Sequence, residues 1–215
     1  TRAILGLERV QAGSIQLYGT EPIGRGMPNA LRAGLQVVFQ DPHGSFNPRW
    51  KVSRLVSEPF HLMPRAPSDA SARIAEALTE VGLAPSDADK YIHEFSGGQR
   101  QRIAIARALI NRPDLIVLDE AVSALDVRVR AQILDLLARL QESHRLGYLF
   151  ISHDLHVVRA ITDRVMVMKA GEIVEAGETE AVFADPQHPY TRQLIAATPT
   201  IPAEWTQGET DEALV

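Results

Sequence analysis

The sequence predicts an α/β fold, with a mostly parallel sheet at its core and small antiparallel elements. Two continuous apolar runs, Leu115–Leu118 and Tyr148–Ile151, are typical of strands buried on both faces of a parallel sheet. Between them, from about Val127 to Ser143, apolar residues recur at helical spacing. Because parallel strands need a crossover connection, this order of strand, helix and strand indicates a parallel unit. A further short strand is predicted at Leu35–Phe39.

Shorter elements are predicted towards both ends of the chain. Residues 1–7 have the apolar pattern of a helix end, and the alternation over 14–18 predicts a half-buried strand. Near the other end, the runs 165–168 and 173–174 flank Ala170-Gly171, which indicates an antiparallel hairpin.

The segment between the first two predicted strands is expected to be mainly helical. Ser68 and Asp69 belong to the residue types that cap helices, and a helix is predicted from them to about Val81. A second helix is predicted over 100–110. We therefore expect a helical subdomain at approximately 46–110.

Length and composition fit one globular domain. The chain has 215 residues, of which 45% are hydrophobic and 23% charged. It contains no cysteine, which excludes disulfides, thiolate zinc sites, iron–sulfur clusters and cysteine nucleophiles. No apolar run approaches the roughly 20 residues that cross a bilayer. We expect one domain over 1–199, followed by a loose acidic tail over 200–215.

The formal net charge of −5 argues against a sequence-independent nucleic-acid binder, because such proteins carry a basic surplus. No nucleic-acid partner is therefore expected. Four arginines recur along and just after the second predicted helix: Arg100, Arg102, Arg107 and Arg112. We favour a solvated helix face for them over a nucleic-acid contact.

The segment Phe95-Ser96-Gly97-Gly98-Gln99 stands immediately before this helix. Ser96 is a good N-cap, and two glycines leave the first amides of the helix unshielded. Unpaired amides and the helix dipole together favour a bound anion. Taken alone, the segment is equally consistent with an ordinary capped helix.

Polar side chains follow three of the predicted strands. Asp119 and Glu120 come at the end of the run that starts at Leu115, at the edge where open α/β sheets bind ligands. One carboxylate there can hold magnesium and its neighbour can polarise a water molecule, although many strands simply end in an acidic loop. His153 and Gln40 follow the other two strands, and histidine can donate a hydrogen bond to a phosphate oxygen.

In order, these segments resemble the motifs of the ABC ATPase family. Residues 95–99 resemble its signature sequence, with Phe95 in place of the usual leucine, and 115–120 its Walker B strand. Ser123-Ala124-Leu125-Asp126 is similar to its D-loop, while His153 and Gln40 correspond to its switch histidine and Q-loop glutamine. The resemblance implies a P-loop NTPase-like fold that uses ATP and Mg²⁺.

The resemblance also implies roles for individual residues. Asp119 would hold Mg²⁺, Glu120 would be the general base, His153 would contact the γ-phosphate, and Gln40 would sense the metal and the attacking water. The signature-like residues Ser96, Gly97, Gly98 and Gln99 would bind the nucleotide of a second ABC domain in a head-to-tail pair. Asp126, in the same nucleotide-binding set, would tie the two sites together across that interface.

The phosphate-binding loop of the family, Gly-x-x-x-x-Gly-Lys-[Ser/Thr], appears nowhere in the sequence. In the family it precedes the helix that residues 1–7 resemble. The sequence is therefore expected to be an N-terminally truncated version of such a domain. We predict that the 215-residue chain alone binds ATP poorly and does not hydrolyse it.

Two further segments resemble the oligopeptide and dipeptide importers of the family: Ala121-Val122 before the D-loop, and the tail motif at 186–194. This resemblance implies uptake of peptides, or of nickel. It also implies a peripheral position at the cytoplasmic face of the inner or plasma membrane, with integral-membrane permease subunits and, indirectly, a binding protein as partners. The alternatives are non-transport relatives: a phosphonate-complex accessory subunit, or translation and repair proteins.

Overall fold

The computed structural model describes residues 2–17, 19 and 27–198. The chain is divided into two compact units, Thr1–His153 and Asp154–Val215. The predicted tail over 200–215 lies outside the described residues. No helix within the described ranges has both the length and the apolar character of a membrane-spanning segment.

The first unit is organised around a three-stranded parallel sheet. Its strands, in the spatial order β1-β2-β3, are β1 (Leu35–Phe39), β2 (Leu115–Asp119) and β3 (Gly147–Ile151). The predicted α/β fold is therefore confirmed. Only β2 is buried to the expected degree, whereas β3 is half-buried, because within the described residues β3 has a neighbouring strand on one edge only.

Six α-helices of this unit lie in the described ranges: α1 (Asn29–Gly34), α2 (Pro42–Ser45), α3 (Val52–Val56), α4 (Ala70–Glu80), α5 (Gly97–Leu109) and α6 (Val127–His144). Short 3₁₀ helices cover Glu58–Leu62, Pro85–Asp89 and Ile92–Glu94. The predicted helix over 100–110 is confirmed, but it begins three residues earlier, directly after its cap.

Helix α6 is the predicted crossover between β2 and β3. The Asp126 side chain caps its start by accepting a hydrogen bond from the amide of Val129 (3.0 Å). Arg145, with φ 55°, ends it in the left-handed conformation that is common after helices. Its buried residues repeat at helical spacing: Ile133, Leu136, Leu137 and Leu140.

The helical region between β1 and β2 has its own buried residues, among them Leu55, Leu78 and Ile103. Helix α4 is present where it was predicted, but the expected cap is wrong. Asp69 precedes α4 without capping it, and both of its carboxylate oxygens accept from Nε of Arg73 (3.1 Å each). The backbone of Asp69 (φ −96°, ψ 20°) is not in the extended conformation that aims a capping side chain at the helix amides.

The first residues have the hydrogen-bond pattern of a helix C terminus, as predicted. Leu7 donates to the carbonyl of Arg2 (2.9 Å) and Gly6 to that of Ala3 (3.0 Å), while Gly6 has φ 68°. The predicted strand over 14–18 is present only as a β-bridge at Gln16 in the described part of that range. These segments pack against the sheet through Ile4, Leu5, Ile15 and Leu17, which contact the cluster of Met27, Leu35 and Val117.

The second unit contains the predicted hairpin between three helices. Its elements are α7 (Leu155–Ile161), β4 (Arg164–Lys169), β5 (Glu172–Glu178), α8 (Thr179–Ala184) and α9 (Pro189–Ala196). Strands β4 and β5 are antiparallel. Ala170 and Gly171 connect them with φ values of 51° and 85°, as the tight turn of a two-residue hairpin requires.

Candidate active site

The ends of the three parallel strands are level with one another. Phe39 pairs with Asp119, and Asp119 pairs with Ile151, in the register of the sheet. Gln40 follows the first of these residues directly, and His153 comes two residues after the third. The register therefore brings the predicted site residues at the strand ends to one edge of the sheet, where parallel sheets bind ligands.

Glu120 is held at this edge by its backbone. Its amide donates to the carbonyl of Ile151 (2.9 Å), and its own carbonyl accepts from both the amide (3.1 Å) and Oγ (2.9 Å) of Ser123. Glu120 has φ 51°, a conformation that costs a non-glycine residue about 1–3 kcal/mol and persists only where the surroundings impose it. The three hydrogen bonds hold the backbone of Glu120 in that conformation. They thereby fix the direction in which its Cα–Cβ bond points.

The Glu120 carboxylate lies next to the His153 imidazole. Oε1 of Glu120 is 3.4 Å from Nδ1 of His153, and the two side chains are 33% and 72% exposed. This distance is at the long end of hydrogen bonding, which is common for catalytic pairs without bound substrate. A carboxylate here can accept a proton from water, and an accessible imidazole can donate to a developing anion.

Asp119 and Gln40 are the other two predicted site residues at this edge of the sheet, and the side chain of each carries oxygen that can bind a metal. Asp119 is half-buried at the end of β2, and Gln40 is exposed. In the ranges that the structure covers, no group of three or more His, Cys, Asp or Glu side chains is arranged to hold a metal. The donor set fits Mg²⁺, which is usually held by one or two carboxylates and completes its coordination with water and substrate phosphates.

The start of α5 is a well-formed helix cap. Oγ of Ser96 accepts from the amide of Gln99 (3.4 Å), and the Gln99 side chain accepts from the amide of Ser96 (2.9 Å). As the first two residues of the helix, Gly97 and Gly98 have amides without intrahelical acceptors. These amides could bind an anion.

The two glycines have different surroundings. A Cβ atom on Gly98 would be 2.6 Å from Cγ1 of Val129 on α6, so this glycine allows the two helices to approach closely. A Cβ atom on Gly97 would have no neighbour within 4 Å. Nothing in the described chain therefore explains Gly97 by packing, and the space beside it is open to a ligand. Asp126 caps α6 three residues before Val129, so the signature-like and D-loop-like segments lie close together.

The arginines of α5 do not form the solvated face that was predicted. Arg102 donates to the carbonyl of Val81 (2.6 Å), and Arg100 donates to that of Ile92 (3.0 Å). The side chain of Arg107 is only 13% exposed, and burial lowers its pKa. The prediction was wrong for these three residues because α5 passes through the helical region and not along its surface. Of the four arginines, only Arg112 has the solvated position that was predicted, because its side chain is 70% exposed.

The tail motif forms a helix start. Nδ1 of His188 accepts from the amide of Tyr190 (3.1 Å) and caps α9. Glu175 on β5 accepts from the amides of Gln187 (2.7 Å) and His188 (3.1 Å). The nearby Thr191 hydroxyl and these two amides hold the pKa of Glu175 below its usual value. The motif thus attaches α9 to the hairpin.

Two contacts that matter for the site were not predicted from the sequence. Ser123 bonds the Glu120 carbonyl, and Val129 packs on Gly98. A serine three residues after Glu120 is a recognisable signal, because such serines commonly bond the backbone of a turn. The contact of Val129 depends on the crossing of two helices and has no signal in the sequence.

Comparison with known proteins agrees with this geometry. The family model described as ABC transporter matches residues 1–123, which is more than half of the chain. A second model, for the oligopeptide/dipeptide transporter C-terminal region, matches residues 174–214. Among solved structures, cbiO1 from Clostridium perfringens, part of the ABC transporter complex cbiONQ, is similar with a TM-score of 0.74 and 30% sequence identity. That match covers 86% of this chain and 73% of the other.

Curated relatives show the same similarity along most of the chain. The glutathione import ATP-binding protein GsiA of Escherichia coli (strain K12) is 51% identical over 201 residues. The oligopeptide transport ATP-binding protein OppD of Mycobacterium bovis is 49% identical over 198 residues. These matches cover 92% and 91% of this chain, but the chain spans only 32% of the length of each relative. By its match to the family model over more than half its length, the chain belongs to the ABC transporter family.

Proposed function

We propose that this chain is part of the ATP-binding subunit of a peptide importer, and that the subunit hydrolyses ATP to drive uptake. Both named relatives are import or transport ATP-binding proteins, one for glutathione and one for oligopeptides. The match of residues 174–214 to the peptide-transporter model supports the same substrate class.

The observation that carries the proposal is the contact between Glu120 and His153 at the strand ends. In this proposal the Glu120 carboxylate accepts a proton from the water that attacks the γ-phosphate. His153 donates a hydrogen bond to a γ-phosphate oxygen as charge develops there. The restrained backbone of Glu120 matters because phosphoryl transfer depends mainly on positioning and on charge stabilisation.

Asp119 and Gln40 would hold the Mg²⁺ ion that accompanies ATP. Bound there, the ion would neutralise charge on the β- and γ-phosphates. The amide of Gln40 also orients the attacking water and reports the state of the site to a membrane partner. Asp119 suits this role because it ends the central strand of the described sheet, where strands on both sides hold its backbone.

The start of α5 would serve the nucleotide of a second ABC domain. Ser96 contributes a hydroxyl, and Gly97 and Gly98 contribute two amides without intrahelical acceptors. The space beside Gly97 is open, and Gln99 secures the cap. Asp126, on the adjacent start of α6, would connect the two sites across a head-to-tail interface. Hydrolysis would then require two domains, because each site would be completed by the other subunit.

The remaining partners follow from the importer role. The subunit would lie at the cytoplasmic face of the membrane as a peripheral component, bound to permease subunits that span the bilayer. A binding protein on the other side would deliver the peptide. Substrate selection would belong to those partners, so this chain would determine the coupling to ATP and not the choice of peptide.

The test requires a subunit in which this chain carries a phosphate-binding loop upstream of Thr1, assembled with its permease in vesicles. We expect ATP hydrolysis that peptide and binding protein stimulate. Glu120→Gln should lower turnover by about 10²- to 10⁴-fold while ATP still binds. The matched control is Glu142→Gln, a substitution at an exposed position of α6, which should change nothing.

Two results would contradict the proposal. Turnover of Glu120→Gln within a few-fold of wild type would mean that another group activates the water. Normal hydrolysis that no peptide stimulates in the assembled complex would remove the importer role while leaving the ATPase intact.

A further inference from the structure

Arg107, near the end of α5, makes an enclosed set of contacts that the proposed chemistry does not use. Its Nη1 donates to the carbonyl of Ser45 (3.1 Å) and its Nη2 to Oγ of the same residue (3.1 Å). The guanidinium carbon lies 4.7 Å from the centroid of the Phe46 ring, and Nη1 is 3.3 Å from the Glu58 carboxylate. One side chain thus holds both the backbone and the hydroxyl of a single partner.

These contacts use properties that are specific to arginine. Its planar fork presents two parallel donors, and its weakly hydrated face packs on an aromatic ring. A lysine ammonium could replace one of the two bonds to Ser45 but could not form both while lying over Phe46. The arrangement therefore fixes the orientation of Ser45 as well as its distance from α5.

Ser45 and Arg107 belong to two segments that contribute to the candidate site. Ser45 ends α2, the short helix that begins two residues after Gln40. Arg107 lies on the helix whose first residues are Gly97 and Gly98. A second attachment lies one turn further on, where Nδ2 of Asn111 donates to the carbonyl of Pro59 (2.8 Å).

We propose that Arg107 is a positioning residue, which keeps the segment after Gln40 in a fixed relation to α5 so that the two move together. A displacement at the end of β1 would then be transmitted to the capped start of α5 at Ser96. The functional meaning of this coupling rests on the proposed function, because the proposed function is what assigns Gln40 and Ser96 to nucleotide sites. The mechanical link itself does not depend on that assignment.

The link can be measured in the full chain with spin labels. Because the sequence has no cysteine, Gly44→Cys and His93→Cys give a single labelled pair. Gly44 is an exposed residue of α2 next to Ser45, and His93 lies in the 3₁₀ helix just before Ser96. The distance distribution between the labels is recorded by pulsed electron paramagnetic resonance for the wild-type background and for Arg107→Met.

Arg102→Met is the matched control. Arg102 lies on the same helix and also donates to a carbonyl, that of Val81 (2.6 Å), but it does not contact Ser45. We expect a clearly broader distribution for Arg107→Met and an unchanged one for Arg102→Met, even if both lower the melting temperature. Should Arg107→Met fail to fold, Arg107→Lys and Ser45→Ala remove one bond each and should broaden the distribution to a smaller extent.

An unchanged distribution in the Arg107 and Ser45 variants would overturn the proposal, and so would equal broadening in Arg102→Met. In the assembled importer, Arg107→Met should reduce peptide-stimulated hydrolysis about two- to thirtyfold and leave basal hydrolysis unchanged. Full stimulation in that variant would also contradict the proposed coupling. If the wild-type importer shows no stimulation by peptide, the proposed function fails, while the distance measurement still decides the role of Arg107.

Discussion

Helix α5 begins with two glycines whose surroundings differ, so alanine substitutions at the two positions separate packing from ligand access. In Gly98→Ala, the new Cβ would be 2.6 Å from Cγ1 of Val129, closer than carbon atoms approach in folded proteins. Val129 is β-branched and therefore has little rotamer freedom on a helix. One of the two helices must shift to accommodate the methyl group.

The magnitude follows from two opposing effects. Overpacking of this kind costs about 1–3 kcal/mol, while replacing glycine by alanine recovers about 0.5–1 kcal/mol by restricting the unfolded chain. We expect a net loss of about 1–2 kcal/mol for Gly98→Ala, equivalent to a melting temperature lower by about 2–8 °C. Gly97→Ala meets no atom within 4 Å and should be neutral or slightly stabilising.

Thermal unfolding of the 215-residue chain measures both variants, and Val129→Ala supplies the internal control. In the double variant Gly98→Ala with Val129→Ala, the clash is absent, so the two losses should be clearly less than additive. In a subunit that hydrolyses ATP, Gly97→Ala should nevertheless reduce turnover, because its methyl group occupies the open space beside the helix start. Equal destabilisation at both glycines, or additive losses in the double variant, would refute this reasoning.

Three further predictions concern the second unit, the turn after β2 and the chain as a whole. The folded-state pKa of Glu175 lies below its usual 4.5, so its contribution to stability is present above pH 4.5 and is lost as the pH falls through the lowered value. The protection factors of the α9 amides, which correct for the intrinsic pH dependence of exchange, should therefore fall on acidification, and Glu175→Gln should show low protection at every pH. Ser123→Ala removes one bond of about 1 kcal/mol to the Glu120 carbonyl, so kcat should fall by up to about tenfold with an unchanged KM for ATP. The 215-residue chain alone should bind Mg-ATP poorly by calorimetry, and micromolar affinity would contradict this expectation.

Local patterns predicted the architecture around the site well. The apolar run 115–118 and the polar residues after it identified both β2 and the strand end that carries Asp119. The cap at Ser96 was also recognisable, because capping depends on a few neighbouring residues. For the same reason the hairpin around Gly171 was found from its turn residues alone.

Features that depend on distant contacts could not be predicted in this way. The enclosure of Arg107 results from segments about sixty residues away in sequence, so its charge alone suggested a solvated position. The need for Gly98 arises from Val129 on another helix. The capping prediction for Asp69 failed because Arg73, one helical turn on, is the partner that its carboxylate binds.

The central claim is that Glu120 and His153 act together on one phosphoryl transfer at the edge of the sheet. A double-mutant cycle of Glu120→Gln and His153→Ala, measured as kcat in a subunit that carries the phosphate-binding loop, tests it most directly. If the two residues form one catalytic unit, each single variant loses orders of magnitude and the double variant is about as slow as the slower single variant. Losses that multiply in the double variant, or a single variant close to wild type, would contradict the claim.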